Sequence, residues 1–226
     1  MAVDFDAYTL LAFAVDPSTT HTPAADPAGV LVLVSGVAAQ GVASVTYGGS
    51  SLTQVASQAN SVGGELTGVE IFAFLKGSGL STGAQTVAVD AGVNAVSAYV
   101  YTLTASTTVE YVNAVGMESS SLANPTTTLG VLGRACFVAE GWLSGQNSTT
   151  GTSPLVGWTN RSESDDGTFI DGSYSYDTIG TADVTVGSSQ TIEDWLMLAV
   201  AVSEVSAAGS VASRPRSFLS LGVGRL

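Results

Sequence analysis

The chain has 226 residues, of which 45% are hydrophobic and only 11% are charged, and its net charge is −13. An acidic protein repels phosphate, which makes nucleic acids and anionic membrane surfaces poor partners. Cys136 is the only cysteine, which excludes an internal disulfide framework. A chain of this length is expected to fold as one large β domain that is held together by burial and hydrogen bonds.

Short β-prone runs, separated by Gly, Ser, Asn and Asp, recur along most of the chain. They predict strands at residues 8–15, 30–34, 42–47, 51–55, 69–75, 86–89, 96–103, 109–115, 135–142, 155–159, 169–176, 183–186 and 195–205. Helical patterns are weak because 26 glycines interrupt every long window. The sequence therefore predicts an all-β fold, an antiparallel two-sheet β-sandwich of the jelly-roll-like type over residues 1–205.

Three stretches show the strand pattern most clearly. Gly48 and Gly49 lie between two β-prone runs and supply the positive φ angles of a two-residue hairpin turn. In residues 98–103 the side chains alternate so that two tyrosines and a leucine share one face, which predicts a half-buried sheet. The apolar run at residues 195–202 predicts a strand buried on both faces and is too short for a membrane helix.

Two segments depart from this pattern. Residues 17–29 hold three of the six prolines and are predicted to form a loop. Residues 206–226 are predicted to form an extended C-terminal arm that contains half of the basic residues. A basic, partly apolar arm on an acidic body favours docking on a neighbouring subunit, and a frayed terminus is the alternative. The predicted docking residues are Arg214, Arg216, Phe218, Leu219, Leu221 and Arg225.

The order of these motifs resembles a known β-sandwich module. The matching stretches are residues 30–34, 44–55, 70–75 and 86–89, followed by a Thr-containing strand at 183–186 and a Trp-led apolar strand at 195–200. This module is common in structural proteins of tailed phages and in bacterial surface proteins. The resemblance implies a jelly-roll-like fold and a role in a virion or on a surface, and it implies no catalytic residues or cofactors.

Few residues of this chain have the chemistry that catalysis needs. His21, the only histidine, lies in the Pro-rich segment with no acid or cysteine close in sequence, so we expect a solvated side chain. Cys136 lies in an apolar strand, which predicts a buried, unreactive thiol. Residues 77–83 look superficially like a phosphate loop but are predicted to be a turn, because a β run and not a helix follows them.

One acidic stretch is a candidate calcium site. Glu163, Asp165, Asp166 and Asp171 could supply carboxylate ligands, although their spacing differs from an EF-hand loop and a solvated loop is the favoured interpretation. Hydrolysis of glycans by a pair of these acids is a further alternative.

Four aromatic residues decide between two classes of function. Trp142, Trp158, Tyr174 and Tyr176 would form a sugar-binding platform if they were exposed on one face, whereas aromatics at period two more commonly fill a sandwich core.

The sequence thus predicts a non-enzymatic virion structural protein of a tailed bacteriophage, most concretely a capsid decoration or cement protein made in the host cytoplasm. The expected partners are the major capsid protein or other virion subunits, and a homo-oligomer is expected, with a trimer favoured. The alternative is a carbohydrate-binding β-sandwich module of a tail fibre or surface adhesin, with surface glycans as partners.

Overall fold

Strands make up the regular structure of this chain. The computed structural model describes residues 3–37, 42–61, 68–92, 94–119, 124–145, 154–165, 169–189 and 194–205. These residues form sixteen strands and no helix, so the described part contains no helix that could span a membrane. The predicted C-terminal arm, with all of its proposed docking residues, lies outside the described residues.

Nine strands lie in the first half of the chain and seven in the second. The first half contains β1 (Asp4–Val15), β2 (Ser18–His21), β3 (Gly29–Val37), β4 (Ser44–Tyr47), β5 (Ser50–Ser51), β6 (Thr53–Ala59), β7 (Val69–Lys76), β8 (Gln85–Asp90) and β9 (Ala95–Thr104). The second half contains β10 (Val109–Ser119), β11 (Thr126–Leu129), β12 (Cys136–Gly145), β13 (Thr159–Asp165), β14 (Phe169–Ile179), β15 (Val184–Gly187) and β16 (Trp195–Glu204).

Two five-stranded antiparallel sheets pack face to face at the centre of the molecule. Their strand orders are β1-β9-β3-β7-β6 and β10-β16-β12-β14-β13. Leu33 and Tyr99 of the first sheet share one buried cluster with Phe137 and Leu198 of the second. The β-sandwich predicted from the sequence is therefore confirmed.

Two smaller sheets cover the outer faces of this sandwich. The sheet β2-β8-β4-β5 packs on the first large sheet, where Val45 and Val87 meet Val32 and Val100. The sheet β11-β15 packs on the second large sheet, where Leu129 and Val186 join Trp142 and Met197 in another cluster. The four sheets are thus layered, with the large pair inside.

This layering corrects one prediction. Tyr99, Tyr101 and Leu103 do share a face, as the alternation indicates, but Ala98 and Val100 on the opposite face are also fully buried. The sheet is not half-buried, because a covering sheet excludes water from its outer face. Strand β16 is likewise buried on both faces, which confirms the prediction for the apolar run that contains it.

The two halves of the chain repeat one topology. When β1, β3, β6, β7 and β9 are matched with β10, β12, β13, β14 and β16, the two large sheets have the same strand order. The small sheets follow the same rule, since β2 pairs with β8 as β11 pairs with β15. In each half, the proline just before the first strand of the pair adds one more backbone hydrogen bond. The Pro17 carbonyl accepts from the N–H of Val89 at 3.0 Å, and the Pro125 carbonyl accepts from the N–H of Ser188 at 2.8 Å.

Irregularities in strand pairing also recur at matching places. The register shifts at residues 5–7 of β1 and at residues 111–113 of β10. It shifts again at residues 54–56 of β6 and at residues 160–162 of β13. Because a bulge fixes the position of every following pair, these shifts align the halves residue by residue. Two residues are called equivalent below when they occupy the same register position in the two halves.

The local turn chemistry follows the sequence in two places. Gly48 and Gly49 have φ values of 56° and 76° and connect β4 to β5, which confirms the predicted hairpin. Residues 77–83 connect β7 to β8 without forming a strand, and Gly79 and Gly83 have positive φ, which confirms the predicted turn.

Four strand assignments need correction. Residues 126–129 form β11, which pairs with β15, although no strand is predicted there from the sequence. Residues 18–21 form β2 and not a loop, because their backbone pairs with β8 between the prolines. Residues 155–158 form a turn, closed by a bond from the Trp158 N–H to the Leu155 carbonyl, and β13 begins only at Thr159. The acidic residues Glu163 and Asp165 consequently lie on a strand and not in a loop.

Candidate functional site

His21 lies inside the protein and bonds through both ring nitrogens. Its Nδ1 is 2.7 Å from Oγ1 of Thr9, and its Nε2 is 3.1 Å from Oγ1 of Thr102. The Thr102 hydroxyl donates to the Asp6 carboxylate at 2.9 Å, so Nε2 carries the ring proton and Nδ1 accepts from Thr9. The side chain is fully buried, which corrects the expectation of a solvated histidine.

The surroundings of His21 favour its neutral form. Burial lowers the pKa of His21 below its ordinary value, and the negative charge of Asp6 opposes this only in part. The carboxylate of Asp6 also accepts from the N–H groups of Ala24 and Ala25, at 3.1 and 2.9 Å. The cluster therefore ties the segment after β2 to strands β1 and β9.

The hydrogen bonds of this cluster are arranged differently from those of a catalytic triad. In a triad the acid bonds to the histidine and orients it towards the nucleophile. Here the acid bonds to Thr102, and both ring nitrogens are occupied by threonine hydroxyls. The described hydrogen bonds therefore hold the imidazole between β1 and β9.

A second polar cluster, the inter-sheet seam, joins the two large sheets along β14. It consists of Asp171, Ser173 and Ser175 with their partners. The hydroxyl of Ser35 donates to Asp171 at 2.8 Å, and Tyr101 bonds to Ser173. Ser173 itself donates to the Glu140 carbonyl at 2.8 Å, so Tyr101 is the donor of the pair. Burial raises the pKa of Tyr101 well above its ordinary value, which keeps this donor protonated.

Arg161 closes the seam at the sheet edge. Its guanidinium donates to both carboxylate oxygens of Asp177, at 2.6 and 2.7 Å, and to Ser175 at 2.7 Å. Its Cζ lies 3.7 Å from the centroid of the Phe5 ring in the other large sheet. One arginine thus joins two strands of the second sheet to β1 of the first.

The third polar cluster surrounds Glu140, the only acidic residue of β12. The side chain points away from the inter-sheet core towards the small sheet, and its Oε2 accepts from the Gly187 N–H at 2.8 Å. Burial raises the pKa of Glu140 to about 8, and the bond from Gly187 opposes this. Gly187 has φ of 124°, and a Cβ there would lie 1.8 Å from the Pro125 carbonyl oxygen, so this approach requires glycine.

Glu140 borders a cavity, called here the Glu140 cavity. The space inside it that a water-sized group can occupy is about 10 Å³, room for roughly one water molecule, and the cavity opens partly towards solvent. Its lining residues are Pro125, Glu140, Trp142, Leu143, Tyr174, Ser188, Trp195, Leu196 and Met197. The indole nitrogens of Trp142 and Trp195 are buried and have no hydrogen-bond partner among the described residues.

The four predicted platform aromatics do not form a sugar-binding surface. Trp142, Trp158 and Tyr174 are buried, with at most 8% of any of them exposed, and Tyr176 is half-buried against Trp158. They fill the space between the second large sheet and its covering sheet, because both sheets direct apolar side chains there. The core interpretation of these aromatics is therefore the one that the structure supports.

The calcium candidates do not converge. Glu163 is exposed on β13, whereas Asp171 is buried in the inter-sheet seam and bonded to Ser35. Asp166 and the side chain of Asp165 lie outside the described residues. Among the residues that are described, no group of three His, Cys, Asp or Glu side chains could hold a metal ion.

Cys136 behaves as its sequence context predicts. It is fully buried, and burial raises the pKa of its thiol to about 11, with Arg134 opposing in part. The thiolate is the reactive form, so this cysteine is unreactive at neutral pH.

Sequence reasoning missed the Glu140 cavity and the seam. A signal for the cavity was present, because Glu140 is the one charged residue in an otherwise apolar strand. A signal for the repeat was also present, in the similar stretches Asp-Pro-Ser-Thr-Thr at residues 16–20 and Asn-Pro-Thr-Thr-Thr at residues 124–128. The cross-sheet partners of the seam carry no such signal, since Ser35 and Asp171 are 136 positions apart.

Comparison of the chain with protein-family models, with curated proteins and with solved structures finds no match.

Proposed function

We propose that this chain is a structural, assembly-forming protein, and specifically a capsid decoration protein of a tailed-phage virion that attaches to the shell as a symmetric homo-oligomer. The virion assignment rests on the family resemblance of the sequence, and the assembly role rests on the surface of the fold. The proposed mode of action is attachment through sheet edges and the C-terminal arm, with no chemical step.

One observation carries the assembly role: exposed apolar side chains lie on the equivalent edge strands of the two large sheets. Phe13 and Val15 on β1 are 37% and 54% exposed, and Tyr111 on β10 is 38% exposed. An edge strand offers unpaired backbone groups, and apolar side chains beside them favour pairing with another chain. Such edges suit contacts between subunits.

The interior supports the same proposal. The buried polar groups described above bond within the protein: His21 to two threonines, Asp171 to Ser35, and Glu140 to Gly187. These groups link layers to one another and stiffen a body that must survive as part of a particle.

Particle occupancy tests the proposal. The triple substitution Phe13→Ser, Val15→Thr and Tyr111→Ser should lower the oligomeric state in light scattering and reduce attachment to particles that lack the protein. Leu132→Ser with Val156→Ser is the matched control, since both residues are exposed apolar residues in turns. Equal loss in the control, or full attachment of the edge variant, would contradict the edge role.

Deletion of residues 206–226 tests the arm separately. We expect a folded body that no longer attaches, and wild-type attachment that weakens as salt rises, because Arg214 and Arg216 would bind an acidic surface. Imaging of intact particles with labelled protein gives the location, and the absence of label from the shell would refute the decoration role.

A further inference from the structure

The Glu140 cavity is a specialised feature of the second half, because its polar residues replace valines. The equivalents of Glu140, Trp142, Ser188 and Trp195 are respectively Val32, Val34, Val89 and Val96. All four valines are buried in the apolar cluster that joins the first large sheet to its covering sheet. The fold therefore does not need polar groups at these positions.

Burying these polar groups lowers the stability of the second half, whereas the first half has apolar valines at the equivalent positions. A buried indole N–H without a partner destabilises the folded protein, and a buried carboxyl destabilises it more unless the carboxyl is protonated or paired. Among the described residues, the indole nitrogens of Trp142 and Trp195 are buried without a hydrogen-bond partner. Within the same described part of the chain, the Glu140 carboxyl accepts one hydrogen bond, from the N–H of Gly187. A group bound in the cavity would remove these costs.

The hydrogen-bond donors and acceptors that the protein leaves available in the cavity define the chemical group that could bind there. Two indole N–H groups require two acceptor lone pairs, and the Glu140 carboxyl, whether protonated or ionised, keeps an oxygen lone pair beyond the one that Gly187 uses, which a donor can fill. A hydroxyl oxygen has two lone pairs and one proton, which matches this set. An ammonium ion offers no lone pair to the indoles and does not match it.

We propose that the Glu140 cavity binds a single hydroxyl group, which accepts from Trp142 and Trp195 and donates to Glu140. The hydroxyl belongs either to a water molecule or to a small alcohol or polyol. The apolar walls formed by Leu196 and Met197 accommodate the carbon that an alcohol would bring. The proposal is independent of the role in a particle.

The three tryptophans make the site directly observable by NMR. Trp142 and Trp195 line the cavity, whereas Trp158 lies in the same outer cluster without lining it and serves as an internal control. In the full-length protein we expect the indole Hε1 protons of Trp142 and Trp195 to show cross-relaxation with a bound hydroxyl proton. Methanol and ethylene glycol are then added as probes.

The two sources of the hydroxyl give different spectra. Cross-peaks between the two indoles and the methyl protons of methanol, with shifts that saturate, identify an alcohol site. Cross-peaks with water that methanol does not change identify a bound water. Either result supports the hydroxyl site, and the absence of both kinds of cross-peak from Trp142 and Trp195 overturns it.

Matched variants keep the test specific. Glu140→Val installs the residue of the first half and should abolish the cross-peaks, whereas Glu140→Gln retains an acceptor and should preserve them. If the valine variant fails to fold, Trp195→Phe removes one donor and should shift the Trp142 signal but not that of Trp158. Unchanged cross-peaks in a folded Glu140→Val protein would also overturn the proposal.

Discussion

The hydroxyl of Ser35 donates to the carboxylate of Asp171 at 2.8 Å, across the interface between the two large sheets. The residue equivalent to Asp171 in the first half is Ile71, and the residues equivalent to Ser173 and Ser175 are Ala73 and Leu75. The interface is thus apolar along β7 and polar along β14. This asymmetry gives the two otherwise similar sheets one orientation relative to each other.

Substitution of Ser35 tests the seam. Ser35→Ala removes a donor to a buried carboxylate, and we expect the free energy of unfolding to fall by about 1–3 kcal/mol. Ser97→Ala is the control, because Ser97 pairs with Ser35 in register and is fully buried, but its hydroxyl has no partner among the described residues. Urea denaturation measures both, and an equal loss in the control would refute a specific bond.

The pKa of His21 predicts an acid-sensitive stability. Because the folded pKa lies below the unfolded value of about 6.5, the unfolded chain binds more protons in the window below 6.5. The free energy of unfolding should therefore fall as pH falls through this window. His21→Leu, which installs the equivalent Leu129 residue type, should flatten the profile there, and an unchanged slope would contradict this account.

Glu140 predicts the opposite dependence at higher pH. Its folded pKa of about 8 exceeds the ordinary value of 4.5, so the folded protein holds the proton longer than the unfolded chain. Its contribution to stability is complete below about pH 4.5 and declines as pH rises to about 8, at a rate of order 1 kcal/mol per pH unit. Glu140→Gln should remove this decline in thermal or urea titrations, and retention of the full decline would exclude Glu140 as its source.

The shared core predicts that the two halves depend on each other. Strand β9 ends at Thr104 and β10 begins at Val109, so a protease site placed between them cuts an exposed connection. We expect the cleaved halves to stay associated in gel filtration, because separation would expose the inner faces of both large sheets. Each half expressed alone should aggregate, and a soluble, folded single half would refute this dependence.

The sequence by itself determined the fold class of this protein. Alternation, Gly-Gly turn chemistry and apolar runs are local signals, and they located most strands, the hairpin at Gly48 and the buried state of Cys136. Strand β2 was missed because backbone pairing with β8 overrode the loop preference of the flanking prolines. The exposure of His21 was misjudged for the same reason.

Only the tertiary structure decided how the layers stack and where polar groups meet. Alternation reports that a strand has two faces, but it does not report what covers each face. Small sheets from distant parts of the chain bury the outer faces and enclose Glu140 with Gly187, 47 positions away. Contacts at such separations depend on register and packing, which are properties of the assembled sheets and leave no pattern in a single segment.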